Sequence, residues 1–195
     1  MIVIATKYSH KIGYGHLFRS INLIKTIGQD KCLLLINSRK NISKYLIGIK
    51  TQMVNYDLTN WEDKYLKDNR ITIWINDRLV TKNSHKKKLE KNNIFSVFLD
   101  DKNINKNKLN IAQNIQIVKN TYNNIISRKN LLILNKVSNR KIFKRTSIKN
   151  IMITFGGSDT YNITNKVIKN LNINKFKGSI YLGPGYKSQI KNYSK

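Results

Sequence analysis

The sequence predicts an α/β protein, a parallel-sheet domain covered by helices and followed by the start of a second domain of the same kind. Three observations carry this. Short β-branched runs alternate with longer polar stretches whose apolar residues recur at helical spacing. A glycine-bearing loop separates the first such run from the first helix, and the same strand, glycine loop and helix order restarts at Ile151. The chain has 195 residues, enough for one core or for one domain and part of another.

Ile2-Val3-Ile4-Ala5 is the first strand. After the loop from Tyr8 to Gly15, Leu17, Ile21, Ile24 and Ile27 recur on one helical face, and Gly28 closes the helix. Leu33 to Ile36 reads as the second strand, Ser43 to Ile49 as a short helix, and Met53 to Tyr56 as a short strand. Asn60 stands where an N-cap belongs, followed by Asp63, before a helix running towards Asp68. Ile71 to Ile75 is an almost uninterrupted apolar strand. A basic helix over Asn83 to Lys91 follows, then strands over Phe95 to Leu99, Ile115 to Val118 and Leu131 to Leu134. In the second unit a strand from Ile151 to Phe155 leads to a helix with Ile163, Val167, Ile168 and Leu171 on one face, and Ser179 to Leu182 gives another strand. The polar stretch Asn139 to Asn150 places the division between an N-terminal Rossmann-like domain over 1–145 and an incomplete C-terminal one over 146–195. A single helix cannot cover both faces of a βαβ sheet. The reading therefore favours a piece of a longer protein, or a need for a partner that completes the second domain, over extra strands packed on the first.

The net charge of +27 invites a nucleic-acid role, because clustered cations attract phosphate and release counterions. The lysines, however, are spread through nearly every segment, and arginine, the better bidentate reader, is scarce beside them. That distribution describes a generally basic surface with adventitious binding at low salt, and no specific nucleic-acid partner is expected. Cys32 is the sole cysteine, which excludes an internal disulfide and a thiolate metal cluster; beside Leu33-Leu34-Leu35-Ile36 it reads as a buried, inert thiol. The apolar start, Met1 to Ala5, is too short for a signal peptide and no run is long enough to span a bilayer. A cytoplasmic location without membrane contact is the expectation.

Ile12-Gly13-Tyr14-Gly15-His16-Leu17 lies between the first strand and its helix. Glycines allow a tight turn and close approach of a ligand, and the free N–H groups of a helix start suit an anion. As a dinucleotide fingerprint the loop fails, since Phe18 stands where the third glycine belongs; it also lacks the Lys-Ser/Thr ending of a P-loop. Gly13 and Gly15 fit a phosphate-lining turn or a plain sharp turn equally. His16 at the helix mouth is a candidate general base, since a neutral imidazole takes a proton from water; its structural alternative is a helix-capping histidine. Arg19 shares its helical face. His10 and His85 read as loop or solvent-exposed residues. Gly156-Gly157-Ser158-Asp159 repeats the arrangement in the second unit, either as a second phosphate-suited loop or as a turn with Ser158 or Asp159 as N-cap. If the two helix mouths open on one gap, a diphosphate fits between them. Asn76 and Asp77 stand at the exit of a central strand, where open α/β sheets contact ligands; Asp77 can orient a hydroxyl or the histidine, or pair with Arg78 or Lys82. Asp100 and Asp101 end another strand, and neighbours on an extended backbone point apart, so at most one faces such a gap. No His/Asp/Glu grouping has metal-ligand spacing, no serine triad can be assembled, and no cofactor is expected.

Two segments, IGYGHLFRS (12–20) and ITFGGSDTYNITNKVIKNL (153–171), resemble the nucleotide-sugar hydrolase of the pseudaminic acid pathway and the related spore-coat polysaccharide proteins. YLGPGY (181–186) resembles the corresponding part of those proteins, which share the two-domain GT-B-like architecture of MurG-type glycosyltransferases. NDRL (76–79) resembles the equivalent strand exit of their archaeal relatives, where the hydrolase itself commonly carries a tyrosine. The resemblance implies hydrolysis of a UDP-linked diacetamido-trideoxy sugar, with water attacking the anomeric carbon and UDP leaving. It makes His16 the residue that activates water, Gly13, Gly15, Gly156 and Gly157 the lining of a phosphate cleft, and Ser158 a hydrogen-bond donor. Where the family often carries an acidic residue after the first strand, this chain reads Ala5-Thr6-Lys7. A glycosyltransferase, in which the same histidine deprotonates an acceptor hydroxyl, a catalytically inactive truncated remnant and a basic nucleic-acid-binding protein are the alternatives.

Overall fold

The computed structural model describes residues 1–103, 109–111, 125–126, 147, 150–172 and 175–187. The chain divides into two compact units, one of Met1–Tyr8 and His16–Asn135, the other of Ser9–Gly15 and Lys136–Lys195.

The first unit is a seven-stranded, wholly parallel sheet: β1 (Ile2–Thr6), β2 (Cys32–Ile36), β3 (Thr51–Met53), β4 (Ile73–Asp77), β5 (Phe95–Leu99), β6 (Leu109–Ile111) and β7 (Ile125–Ile126). Its order is β3-β2-β1-β4-β5-β6-β7. The chain thus winds outward from β1 through β2 and β3, returns to β4 beside β1, and winds outward the other way. That order is a Rossmann-like α/β fold, and the reversal between β1 and β4 opens a crevice at the carboxyl ends of those strands.

The sheet has a helix-covered core on each face. Register pairs Val3 with Leu33 and with Trp74, and these three residues lie in one buried cluster with Ala5, Leu35, Tyr56, Tyr65 and Leu89. The last two belong to the helices α2 (Asp63–Leu66) and α3 (Asn83–Lys91), which therefore cover that face. On the opposite face, Ile4 is paired with Leu34 and Ile75, and Thr6 with Asp77. The helix α1 (Gly15–Ile27) belongs there, burying Leu17, Ser20, Ile21 and Ile24 at the spacing of one helical stripe. Gly28 adopts φ +123° and its N–H bonds the Ile24 carbonyl, a glycine C-terminus to the helix.

Several local expectations change. The helix over Ser43 to Ile49 is reduced to a 3-10 turn at Ser43–Tyr45, with Asn41 and Gly48 in the left-handed region on either side. The strand expected at Met53 to Tyr56 is Thr51–Met53; Tyr56 leaves the sheet to bury its ring and donate its hydroxyl to the Leu35 carbonyl at 2.7 Å. Asn60 is not an N-cap: it sits at φ +61°, Glu62 precedes α2, and no side-chain cap bond forms. The strand read at Ile71 to Ile75 runs from Ile73 to Asp77, because Ile71 closes a turn onto the Asp68 carbonyl. The basic helix Asn83–Lys91 and the strand Phe95–Leu99 lie where the sequence put them. The strands read at Ile115 to Val118 and Leu131 to Leu134 fall outside the described residues, and β6 and β7 carried no sequence signal. Cys32 is buried, and that burial pushes its thiol up from the ordinary value.

The second unit contains β8 (Asn150–Thr154), α4 (Ile163–Asn170) and β9 (Lys177–Tyr181), with the two strands parallel. Every residue of β9 is exposed, as are Met152 and Leu182. Among the described residues no helix is long and apolar enough to cross a membrane.

Candidate functional site

The first helix and the carboxyl ends of β4 and β5 assemble a charged cluster in the first unit. Asp77 is the last residue of β4, and strand alternation aims its side chain at the α1 face. It is completely buried. Its Oδ1 lies 2.7 Å from His16 Nδ1, while its Oδ2 accepts from Arg19 Nε at 2.9 Å and from Ser20 Oγ at 3.2 Å. Arg19 Nη2 also donates to Oδ1, and Nη1 donates to Asp100 Oδ2, just beyond β5. Below the carboxylate, Thr6 Oγ1 donates to the Asp77 carbonyl at 3.1 Å and so ties β1 to β4 at their ends. The exit of β1 is clamped by Asn37, whose amide exchanges two 2.9 Å hydrogen bonds with the Tyr8 backbone.

This geometry assigns the imidazole. An ionised carboxylate only accepts, so the short contact to Asp77 requires the proton on His16 Nδ1. Arg19 Nη2, 3.2 Å from that same nitrogen, is then a close neighbour of it and not its donor. Nε2 has no partner among the described residues, and the His16 side chain retains 13% of its surface. A ring oriented through one nitrogen by a buried carboxylate, with the other free, is the arrangement of a general base. Burial works against the Arg19 charge, but the hydrogen bonds it donates to Asp77 and Asp100 more than offset that and push the guanidinium further up. In Arg19, one cation faces two carboxylates, so the cluster has room for the positive charge that proton uptake creates on the ring.

The sequence-expected residues separate into distinct places. His16, Arg19 and Asp77 come together, and Asp77 pairs with neither Arg78 nor Lys82. Asn76, one residue earlier, points to the other face, where its Oδ1 accepts from Arg78 Nη2 at 2.8 Å. Asp100 joins the His16 cluster. Asp101 turns away to accept the N–H groups of Thr81 (3.3 Å) and Asn103 (2.9 Å); the separation comes from the left-handed turn at Asp100 (φ +48°) beyond β5 and not from an extended backbone. Ser20 and Thr6 are the members that sequence reasoning did not place at the site, and it left open which of Asp100 and Asp101 would face it. A clue lay in Arg19, since a buried guanidinium needs more than one acceptor. His85, read as a loop or solvent-exposed residue, is instead buried on α3 at 3% exposure, because the residues around it present an aromatic wall.

Within the second unit, Gly13-Tyr14-Gly15 and Gly156-Gly157-Ser158 pack together. A Cβ on Gly157 would stand 2.5 Å from Tyr14 Cβ, and one on Gly185 would stand 2.2 Å from the Tyr14 ring. Gly13 (φ +89°) and Gly156 (φ +69°) take backbone conformations that favour glycine, whereas a Cβ on Gly15 would meet open space. Ser158 is buried with Oγ 3.2 Å from Thr160 Oγ1, and Thr160 donates to the His10 carbonyl at 2.7 Å. Asp159 caps α4, its two oxygens accepting the N–H groups of Ile163 and Thr164 at 2.8 Å each. Burial pushes this carboxyl up, yet hydrogen bonds from Thr164 and Ile163 prevail and hold it below its ordinary value. Those two donors are consequently spent on a carboxylate. Among the described residues no grouping of His, Cys, Asp and Glu is placed to hold a metal ion.

No protein-family model matches the chain, and no curated protein matches it. The fold and the cluster at its strand ends describe a Rossmann-like α/β scaffold of the kind that binds nucleotides.

Proposed function

We propose that this chain is the catalytic part of a nucleotide-sugar hydrolase of GT-B-like architecture, acting on a UDP-linked diacetamido-trideoxy sugar in the making of a surface polysaccharide or nonulosonic acid. His16 Nε2 takes a proton from water, the water oxygen bonds the anomeric carbon, and the bond to UDP breaks with its electron pair going to the diphosphate. Asp77 fixes the imidazole and stabilises the imidazolium, and Arg19 holds Asp77 against Asp100. The observation that carries the reading is the 2.7 Å contact of His16 Nδ1 with the buried Asp77 carboxylate at the end of the central strands. The motifs IGYGHLFRS and ITFGGSDTYNITNKVIKNL supply the substrate class.

The test is release of UDP from a panel of UDP-sugars incubated with the protein and no acceptor. Release is expected, with a loss of about 10²- to 10⁴-fold in His16→Gln, the usual worth of a positioned general base. Unchanged release in that variant would overturn the role of His16. Release that requires an added sugar acceptor would assign the same base to glycosyl transfer.

A further inference from the structure

The opposite face of the sheet, under α2 and α3, holds a pocket of about 250 Å³ that the proposed hydrolysis does not use. Its wall includes Tyr56, Trp61, Arg78 and His85, with Lys7 and Lys82 among the residues at its mouth. Arg78 follows Asp77 in sequence and, by strand alternation, leaves on this side. Its residue exposure is 7%, and its guanidinium carbon lies 4.7 Å from the Tyr56 ring centre and 5.2 Å from that of Trp61. Among the described residues its sole hydrogen bond is to Asn76 Oδ1, its Nε donates to nothing, and no carboxylate lies within ion-pair distance of it.

A buried cation that feels carboxylates only at a distance, here Asp101 and Glu62, costs several kcal/mol, and aromatic faces return about 2 kcal/mol of that. The contrast with Arg19, which holds two carboxylates, is internal to the same unit. His85 adds a second unpartnered group. It stacks on Trp61 at 5.3 Å and meets the edge of Trp74, and its Nε2 has no partner among the described residues. Its Nδ1 lies 3.5 Å from Glu62 Oε1, which Lys88 also approaches at 3.5 Å. Glu62 only accepts, so the ring nitrogen facing it, Nδ1, carries the proton and Nε2 offers the lone pair; burial, which pushes His85 down, acts in the same direction. The lining carries Lys7, Arg78, Lys82 and Lys88 against Asp57 and Glu62, and both carboxylates are already engaged, Asp57 by Lys7 at 3.1 Å and Glu62 by His85 and Lys88. Excess positive charge, an orphaned donor and an orphaned acceptor define the ligand chemistry.

We propose that this pocket binds a small hydroxylated oxyanion, with Arg78 facing its phosphoryl or carboxylate group and His85 accepting from a hydroxyl. The volume suits a group no larger than a monosaccharide, just below the roughly 300 Å³ at which drug-sized pockets begin.

The test is a titration of the isotope-labelled protein at physiological salt, which suppresses surface binding. Glycerol 3-phosphate and glycerate are the probes, and the side-chain N–H signals of Arg78 and Trp61 are followed. Saturable shifts with a Kd at or below about 1 mM are expected for one of the two, and the preferred probe tells phosphoryl from carboxylate recognition. Arg78→Gln should abolish saturation, whereas Lys87→Gln, which removes an exposed charge, should leave it. Because Arg78 is buried, the exposed Lys82→Gln serves as a second variant, expected to weaken binding by about three- to tenfold at the pocket mouth. His16→Gln should bind as the unaltered protein does, which keeps this result separate from any failure of hydrolysis. Shifts that grow linearly for both probes, or saturation that survives both Arg78→Gln and Lys82→Gln, would overturn the proposal.

Discussion

Replacing Asp77 by Asn interrogates the cluster with one atom changed. The carboxylate receives His16 Nδ1 at 2.7 Å, Arg19 Nε at 2.9 Å and Ser20 Oγ at 3.2 Å, besides Arg19 Nη2. A hydrogen bond to a charged group is worth about 1.5–3 kcal/mol, and breaking a buried ion pair from one side costs about 3–5 kcal/mol. The amide keeps one accepting oxygen but turns an N–H₂ donor towards either Arg19 and Ser20 or the histidine, so one side of the cluster must lose its bonds. Asp100 still holds Arg19 Nη1, which limits the damage. The expected loss is therefore near the lower bound, about 3 kcal/mol, read from urea unfolding with an unchanged m value. Nitrogen NMR of the His16 ring supplies a second readout that does not depend on activity. The native ring should carry its proton on Nδ1, and the variant should shift towards the Nε2–H form. A stability loss below about 1 kcal/mol together with an unaltered tautomer would refute the account of how Asp77 positions the base.

Other substitutions separate packing from charge. Gly157→Ala places a Cβ 2.5 Å from Tyr14 and should cost about 1–3 kcal/mol by overpacking, measured as faster amide exchange in the second unit. Gly15→Ala meets open space and should stay within about 0.5 kcal/mol of the parent. Burial raises Glu62, but His85 and Lys88 prevail and hold it down to about 2 from an ordinary 4.5. A carboxyl depressed in the folded state stabilises fully above its ordinary value, and that contribution drains away as pH falls from 4.5 towards 2. Glu62→Gln should flatten the stability curve in that window by on the order of 2–3 kcal/mol, checked by unfolding at successive pH values. The net charge of +27 should give weak nucleic-acid retention at low salt that disappears near physiological salt, seen as a steep salt dependence in a filter or gel-shift assay.

What was legible in the sequence follows from how much each residue's fate is decided locally. β1, β2, α1 and β5 are runs whose apolar period is settled within the segment, and Gly28 marks its helix end by a backbone conformation that glycine favours. Ser43 to Ile49 and Met53 to Tyr56 went astray because tertiary needs prevailed there. Tyr56 gives up a strand position so that its hydroxyl can reach the Leu35 carbonyl. The strand order could not be read at all, since pairing β1 with β4 is a contact across 71 positions, seen in the Thr6 to Asp77 hydrogen bond. At the cluster, His16 and Arg19 were visible because they share a helical face. Which of Asp100 and Asp101 would join them was not, because that depends on β5 lying beside β4 and on how the chain turns beyond it. His85 was misread for the same reason, as nothing in a lysine-rich helix announces that Trp61 and Trp74 wait on its buried side.

The acidic residues are the most informative letters in this chain, and charge bias explains why. With 37 cations against 10 acids, a carboxylate at the surface has attraction from every side and little positional demand. Yet five of the ten, Glu62, Asp77, Asp100, Asp101 and Asp159, are buried. Each takes up specific donors: His85 and Lys88, His16 and Arg19, Arg19 again, Lys86 with two backbone N–H groups, and the first N–H groups of α4. Drift towards lysine can coat exposed positions freely, but a buried acid lost from such a set strands a cation or an N–H group at a cost of about 1–5 kcal/mol. Exposed Asp57 meets only Lys7, and its side chain keeps 81% of its surface. Neutralising Asp57 should therefore leave stability nearly untouched, while neutralising any of the buried five should not. If Asp57→Asn and Asp101→Asn cost the same on urea unfolding, burial is not what has kept these carboxylates in place.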